Sequence, residues 1–222
     1  MNITTTFRTL LATLGLAFAL AAQASPMIRL SDGTTTVDLG NPSSGFAALD
    51  SAGGDLSYGG TFGANWMLNL SSAPGSLNYS LSASNVGVGG TYLDISFSDN
   101  NLALGDLQGL AEFIGDIQGQ TQGLVTWWMY IDDGDNLFAQ TTQIGNGTNG
   151  SNTFNSSFDA IRSVDGTFSM TLLVRINHGN SERLTSLDFS GIAQVLQVPE
   201  PATLLLLGAG LFGIALGRRR VH

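Results

Sequence analysis

Few residues in this chain have the types and spacing to do chemistry. In Asp132-Asp133-Gly134-Asp135-Asn136, oxygen ligands crowd one short segment, as a hard cation such as calcium prefers, with Asp132, Asp133 and Asp135 as the candidate ligands. The spacing lacks the alternate ligands and distal glutamate of an EF-hand loop. An Asp-Gly pair between two strand-like runs also makes an ordinary hairpin turn, with no metal needed. A serine hydrolase would need a base, and His178 is the sole histidine before the C-terminal residue; no serine sits in a G-x-S-x-G elbow. His178-Gly179-Asn180 reads as a surface turn between two strands. With no cysteine, zinc would find only carboxylates beyond that histidine. A glycosidase pair is permitted by fourteen aspartates with Glu112 and Glu182, but nothing singles one out.

Trp128 and Tyr130 are the remaining candidates, and their reading depends on the strand that holds them. In Leu124 to Asp132, Val125, Trp127, Met129 and Ile131 form an apolar side, which turns Trp128 and Tyr130 to the other face beside Thr126 and Asp132. Exposed aromatics on a sheet can stack on sugar rings; alternatively a loop or the segment Asp106 to Gln118 covers them.

Period-two alternation dominates the rest of the chain. Leu77, Tyr79, Leu81 and Ala83 share a face, as do Leu93, Ile95 and Phe97, and Phe168, Met170, Leu172, Val174 and Ile176. Met27 to Ser31, Thr61 to Leu70, Leu137 to Ile144 and Leu184 to Val198 are further strands, and Asn146 to Asn155 is a polar loop. Asp106 to Gln118 fits a helix capped by Asp106, or a strand with Phe113, Gly115 and Ile117 alternating. Two interior glycines would each cost a helix about 1 kcal/mol, which favours the strand. The echo of Gly105 to Gly109 in Gly115 to Gly119 reads as two related turns. One-faced strands need a second sheet to cover them, so the fold class is all-β, an antiparallel β-sandwich of jelly-roll-like type.

The two ends carry addresses. Arg8 precedes the thirteen-residue apolar run Leu10 to Ala22, and Ala22-Gln23-Ala24 is an A-x-A cleavage site ahead of Ser25. At the other end stand Val198-Pro199-Glu200-Pro201, the mostly apolar Ala202 to Leu216, and the basic stop Arg218-Arg219-Arg220. As a helix, Ala202 to Leu216 would extend about 22 Å against a hydrocarbon core of about 30 Å. Gly208, Gly210 and Gly213 weaken it further, which suits a segment held briefly and then cut. Positive charge held inside places the intervening chain outside the cytoplasmic membrane. The domains are thus 1–24 signal peptide, 25–198 extracytoplasmic sandwich and 199–222 sorting tail with a transmembrane helix.

Residues 25–198 hold four arginines against sixteen carboxylates, a net charge of −12, and no lysine. Such a surface repels phosphate backbones, so no nucleic-acid partner is expected. Without cysteine there are no disulfides to cross-link the fold and no thiolate nucleophile, and stability must come from packing. No cofactor is expected beyond the calcium alternative.

The Pro-Glu-Pro, apolar segment and arginine cluster together resemble the PEP-CTERM tail of Gram-negative surface proteins handled by exosortases. The runs Trp127 to Asp132, Asn136-Leu137-Phe138, Phe168 to Thr171, Asn177-His178-Gly179 and Thr185 to Phe189 are similar to small all-β ectodomains found on such proteins. The resemblance implies signal peptidase and exosortase as processing partners, transient membrane anchoring through the tail, and release to the cell surface or outside. The expected function is a noncatalytic structural or adhesive protein of the envelope or exopolysaccharide biofilm matrix. A glycan-binding module using Trp128 and Tyr130 is the alternative, ahead of a polysaccharide-acting enzyme. The exported protein should begin at Ser25; N-terminal sequencing that finds residues 1–24 retained would contradict this reading.

Overall fold

The computed structural model describes residues 26–39, 49–50, 56–63, 65–73, 77–85, 92–103, 109–150, 152–179 and 181–195. The signal and tail readings, with Ala22, Ala24, Ser25, Pro199, Glu200, Pro201 and Arg218 to Arg220, lie outside the described residues. Among the described residues thirteen strands follow one another: β1 (Met27–Ser31), β2 (Thr36–Leu39), β3 (Leu49–Asp50), β4 (Leu56–Phe62), β5 (Trp66–Ala73), β6 (Leu77–Asn85) and β7 (Leu93–Ala103) come first. Then come β8 (Gly109–Thr121), β9 (Leu124–Asp132), β10 (Thr142–Asn149), β11 (Asn152–Val164), β12 (Thr167–Asn177) and β13 (Leu184–Val195). Six make one sheet in the order β10-β9-β12-β7-β1-β2, and seven make the other in the order β11-β8-β13-β6-β5-β4-β3. Every pairing is antiparallel.

Alternation builds the core as expected. On β9, Val125, Trp127, Met129 and Ile131 are buried; on β12, Phe168, Met170, Leu172, Val174 and Ile176 are; and Leu77, Tyr79, Leu81 and Ala83 of β6 face them from the other sheet. A run of rings ties the two layers together. Phe97 stacks on Tyr79 at 4.8 Å between centroids, Tyr79 on Phe189 at 5.7 Å, Phe189 on Phe158 at 6.3 Å, and Phe158 meets Trp127 at 5.9 Å. The run thus leaves the six-stranded sheet at β7 and returns to it at β9. Gly115 makes room for it, since a Cβ there would strike both Phe158 and Phe189.

Several strand limits differ from the sequence expectation. Asp106 to Gln118 is strand from Gly109 onward, and Gly115 to Gly119 is strand interior rather than a turn. Thr61 to Leu70 is two strands, split by a turn that begins at Gly63 with φ 59°. Leu137 to Thr141 is turn and irregular chain, and β10 starts only at Thr142. Of the polar loop Asn146 to Asn155, Asn146 to Asn149 end β10 and Asn152 to Asn155 begin β11, where Phe154 supplies a ring. Within it Gly147 lies where a Cβ would meet the Trp127 indole, so the glycine that suggested a loop is a packing requirement of the strand.

Trp127→Ala should lower stability by about 3–5 kcal/mol, as loss of a fully buried large ring does. Gly115→Ala should cost about 1–3 kcal/mol by overpacking. Equilibrium urea unfolding of both variants checks the pair.

Candidate functional site

Trp128, Tyr130 and Asp132 share the outward side of the six-stranded sheet. One rung runs Asn146, Trp128, Leu173, Ser96, Arg29 and Asp38 across β10, β9, β12, β7, β1 and β2. The next holds Tyr130 beside Thr171 and Ser98, and on the other side Thr126, Arg175 and Asp94 lie in line. Trp128 and Tyr130 are each half-buried, so alternation places them outward while their neighbours cover part of each ring.

Two arginines are fixed on this face by bidentate pairs, a geometry that holds the guanidinium fork in one orientation. Arg175 donates to Asp94 at 2.6 and 2.7 Å, and its guanidinium lies 4.7 Å over Tyr92 and 6.0 Å from the Trp128 ring. Arg29 donates to Asp38 at 2.6 and 2.9 Å and covers Phe138 at 4.1 Å. Asp38 is held below the usual carboxylate range, first by its hydrogen bond from Arg29.

Phe138 belongs to residues 133–141, which fold back over part of the face. The Phe138 amide donates to the Ser98 hydroxyl at 2.9 Å, the Ser169 hydroxyl donates to the Asn136 carbonyl at 2.6 Å, and Asp135 accepts from the Asn101 amide at 2.7 Å. Ser98, Ser169 and Thr171 are buried beneath it. The segment leaves the patch of Trp128, Arg175 and Tyr92 at its side.

The same contacts define the acidic cluster. Asp132 accepts from the Asn136 amide and side chain at 3.0 and 2.9 Å through one oxygen and from Thr141 at 2.5 Å through the other. Thr141 first, then Asn136, hold that carboxyl below its ordinary range. Asp135 adopts φ 55° in the turn, and Asp133 points to solvent. Asp132, Asp133 and Asp135 thus stand in a turn in which protein donors engage both oxygens of Asp132 and one of Asp135. Among the described residues no three of His, Asp and Glu converge as a metal site would require.

His178 corrects the sequence reading. Gly179 does turn, with φ 60°, but the imidazole is buried rather than on the surface. It lies 5.2 Å from the Trp66 ring, with Nε2 2.8 Å from the Thr185 hydroxyl, itself 2.7 Å from that of Thr121. Desolvation, with Arg183 second, lowers its pKa to about 4. Asp99 is a second buried ionisable group, accepting from the Tyr79 hydroxyl at 3.0 Å and pushed up to about 6 by desolvation. Both were findable: Asp99 continues the inward parity of Leu93, Ile95 and Phe97, and His178 that of Phe168 to Ile176.

Residues 197–220 match the PEP-CTERM protein-sorting motif. The chain carries this sorting motif. It implies a C-terminal sorting tail, export, processing by an exosortase, and membrane anchoring followed by surface association. No curated protein matches the chain. Among solved structures, the adhesin domain of Epf from Streptococcus pyogenes is 13% identical with a TM-score of 0.45, over 76% of this chain and 58% of that one. The chain therefore spans little more than half the length of that adhesin domain. A carbohydrate-binding module solved with β-1,4-galactotriose is 12% identical with a TM-score of 0.29, over 60% and 90%. A family 11 carbohydrate-binding module from Clostridium thermocellum is 14% identical with a TM-score of 0.27, over 67% and 100%. At overlaps this loose, what those proteins bind is not carried over to this chain.

The two buried ionisable groups give opposed pH dependences. The folded pKa of His178 lies below its unfolded value of about 6.5, so its contribution is whole above that pH and is lost as pH falls through about 4. That of Asp99 lies above its unfolded value, so its contribution is whole at low pH and is lost as pH rises through about 6. Asp99→Asn, which mimics the protonated acid, should raise the melting temperature at pH 7.5 and leave it unchanged near pH 4. Its melts should then fall between pH 6.5 and 4, and adding His178→Gln should flatten that fall. Thermal melts across this range check both signs.

Proposed function

We propose that this chain is a noncatalytic structural or adhesive protein of the cell envelope or its extracellular polysaccharide matrix. The carrying observation is that β13 ends at Val195, two residues ahead of the sorting motif at 197. A sandwich whose last strand stays paired to Val195 is thus followed by the sorting address after almost no intervening chain, and the two travel together. The N-terminal run ending at Ala24 acts as a cleaved signal peptide and Ala202 to Leu216 as the transient membrane segment. The acidic turn needs no calcium to hold its shape, because Asp132 and Asp135 already have donors.

A second reading is supported by Trp128, half-buried on an outward face with the fixed Arg175 beside it. A partly exposed ring with a neighbouring donor suits a glycan. Deleting the gene in its host separates the classes: a structural component leaves the secreted polysaccharide unchanged in composition but weakens matrix cohesion, whereas loss of a polysaccharide-acting enzyme alters chain length or linkage. On the second reading, Trp128→Ala weakens binding to the host's exopolysaccharide by about 1 kcal/mol with the melting temperature kept. If Trp128→Ala instead unfolds the domain as Trp127→Ala does, the ring is a packing element and the glycan reading fails.

A further inference from the structure

The outward side of the seven-stranded sheet carries a rung of short polar side chains that crosses the strands. Thr153 of β11 lies opposite Gln120 of β8, which faces Ser186 of β13, then Ser82 of β6, then Asn69 of β5, and the line ends on Gly59 of β4. Two depressions open along it. One, of about 620 Å³, is lined by Gln120, Gln122, Asn152, Thr153 and Leu184; the other, of about 220 Å³, by Asn69, Ser71, Ser80, Ser82, Ser186 and Asp188. Gln120 of the first is the register partner of Ser186 of the second, so the two abut and form one transverse groove. Its floor is made by half-buried Ser186 and Ser82, and Gly59 leaves its far end open, with no atom within 4 Å of where a Cβ would stand. Six strands spaced about 4.8 Å apart give it a length of about 24 Å.

A solvated sheet face is ordinarily polar, which alone asks for no ligand. Two features go further. The rung has no charged side chain although acids abound in the chain, and the adjoining Asp188 is engaged by Ser80 at 2.6 Å. Leu184 and Met67, 41% and 51% exposed, lie on the next rung and flank the groove. Amides and hydroxyls both donate and accept, as vicinal hydroxyls of a sugar do, while exposed aliphatic flanks suit the C–H faces of its rings. A net charge of −9 disfavours polyuronates and phosphate polymers but not an uncharged chain.

We propose that this groove binds an extended, uncharged polysaccharide lying across the strands. It stands apart from the Trp128 reading, whose face belongs to the other sheet. Affinity electrophoresis of the full chain in mild detergent tests it, through gels holding hydroxyethylcellulose or galactomannan as neutral polymers and alginate as the polyuronate. At least one neutral polymer should retard the protein and alginate should not. Gln120→Ala with Asn69→Ala, and separately Ser186→Arg, should each weaken retardation at least fivefold, while Asp165→Asn, in the exposed turn between β11 and β12, retains it. The proposal is overturned if neither neutral polymer retards the protein, if alginate does so equally, or if retardation survives both groove variants.

Discussion

The ring sequence from Phe97 through Tyr79, Phe189 and Phe158 to Trp127 is the contact on which the rest of the molecule depends. With no cysteine, no disulfide can fasten one sheet to the other, and burial must do so. Aromatic side chains bury more area per residue than aliphatic ones and add a directional preference, so offset stacks fix the spacing of the layers as well as holding them together. Their bulk also sets the backbone's composition. Gly115 of β8 and Gly145 of β10 lie where any Cβ would enter the Phe158 ring, and Gly147 where it would enter Trp127. These three glycines, which in the sequence look like looseness, are therefore the space that the rings require.

Because the core is filled by rings, the few polar groups inside it stand out. Asp99 can sit in the core because Tyr79 donates to one of its oxygens, and the neutral acid loses less on desolvation than the carboxylate. His178 is neutral for the same reason, with the Thr185 and Thr121 hydroxyls extending its contact along one end of the sandwich. One of these groups stabilises the fold best in acid and the other best near neutrality. Their opposition flattens the pH response across the range where an exported protein meets changing surroundings.

Alternation made the central strands legible, since β6, β7, β9 and β12 each bury a continuous apolar face that shows as period two. The same parity pointed inward at Asp99 and His178, but polar identity concealed them: a histidine before glycine suggests a turn, and only the third dimension shows Trp66 closing over it. Edge strands were the least visible. β11 pairs on one side only and exposes Asn155, Ser157 and Asp159, so its inward Phe154 and Phe158 are diluted below the level at which a strand is recognised. The cover over Ser98 could not be read at all, because the bond from Phe138 to Ser98 joins residues forty positions apart and leaves no local pattern.

The direction of β13 relates the sorting motif to the two outward faces. The strand runs from Leu184 to Val195, and the motif begins two residues later, so the Val195 end is the one held near the membrane before processing. Ser186 lies nine residues back, and at about 3.4 Å per residue the groove stands about 30 Å from that end. The six-stranded sheet is tied in at the same far end, where His178, just past β12, meets Trp66 of β5. Trp128 lies only three residues from Val125, which pairs with Ile176 near that end. Both candidate sites therefore lie toward the end of the sandwich opposite Val195, the end from which the chain continues into the sorting motif.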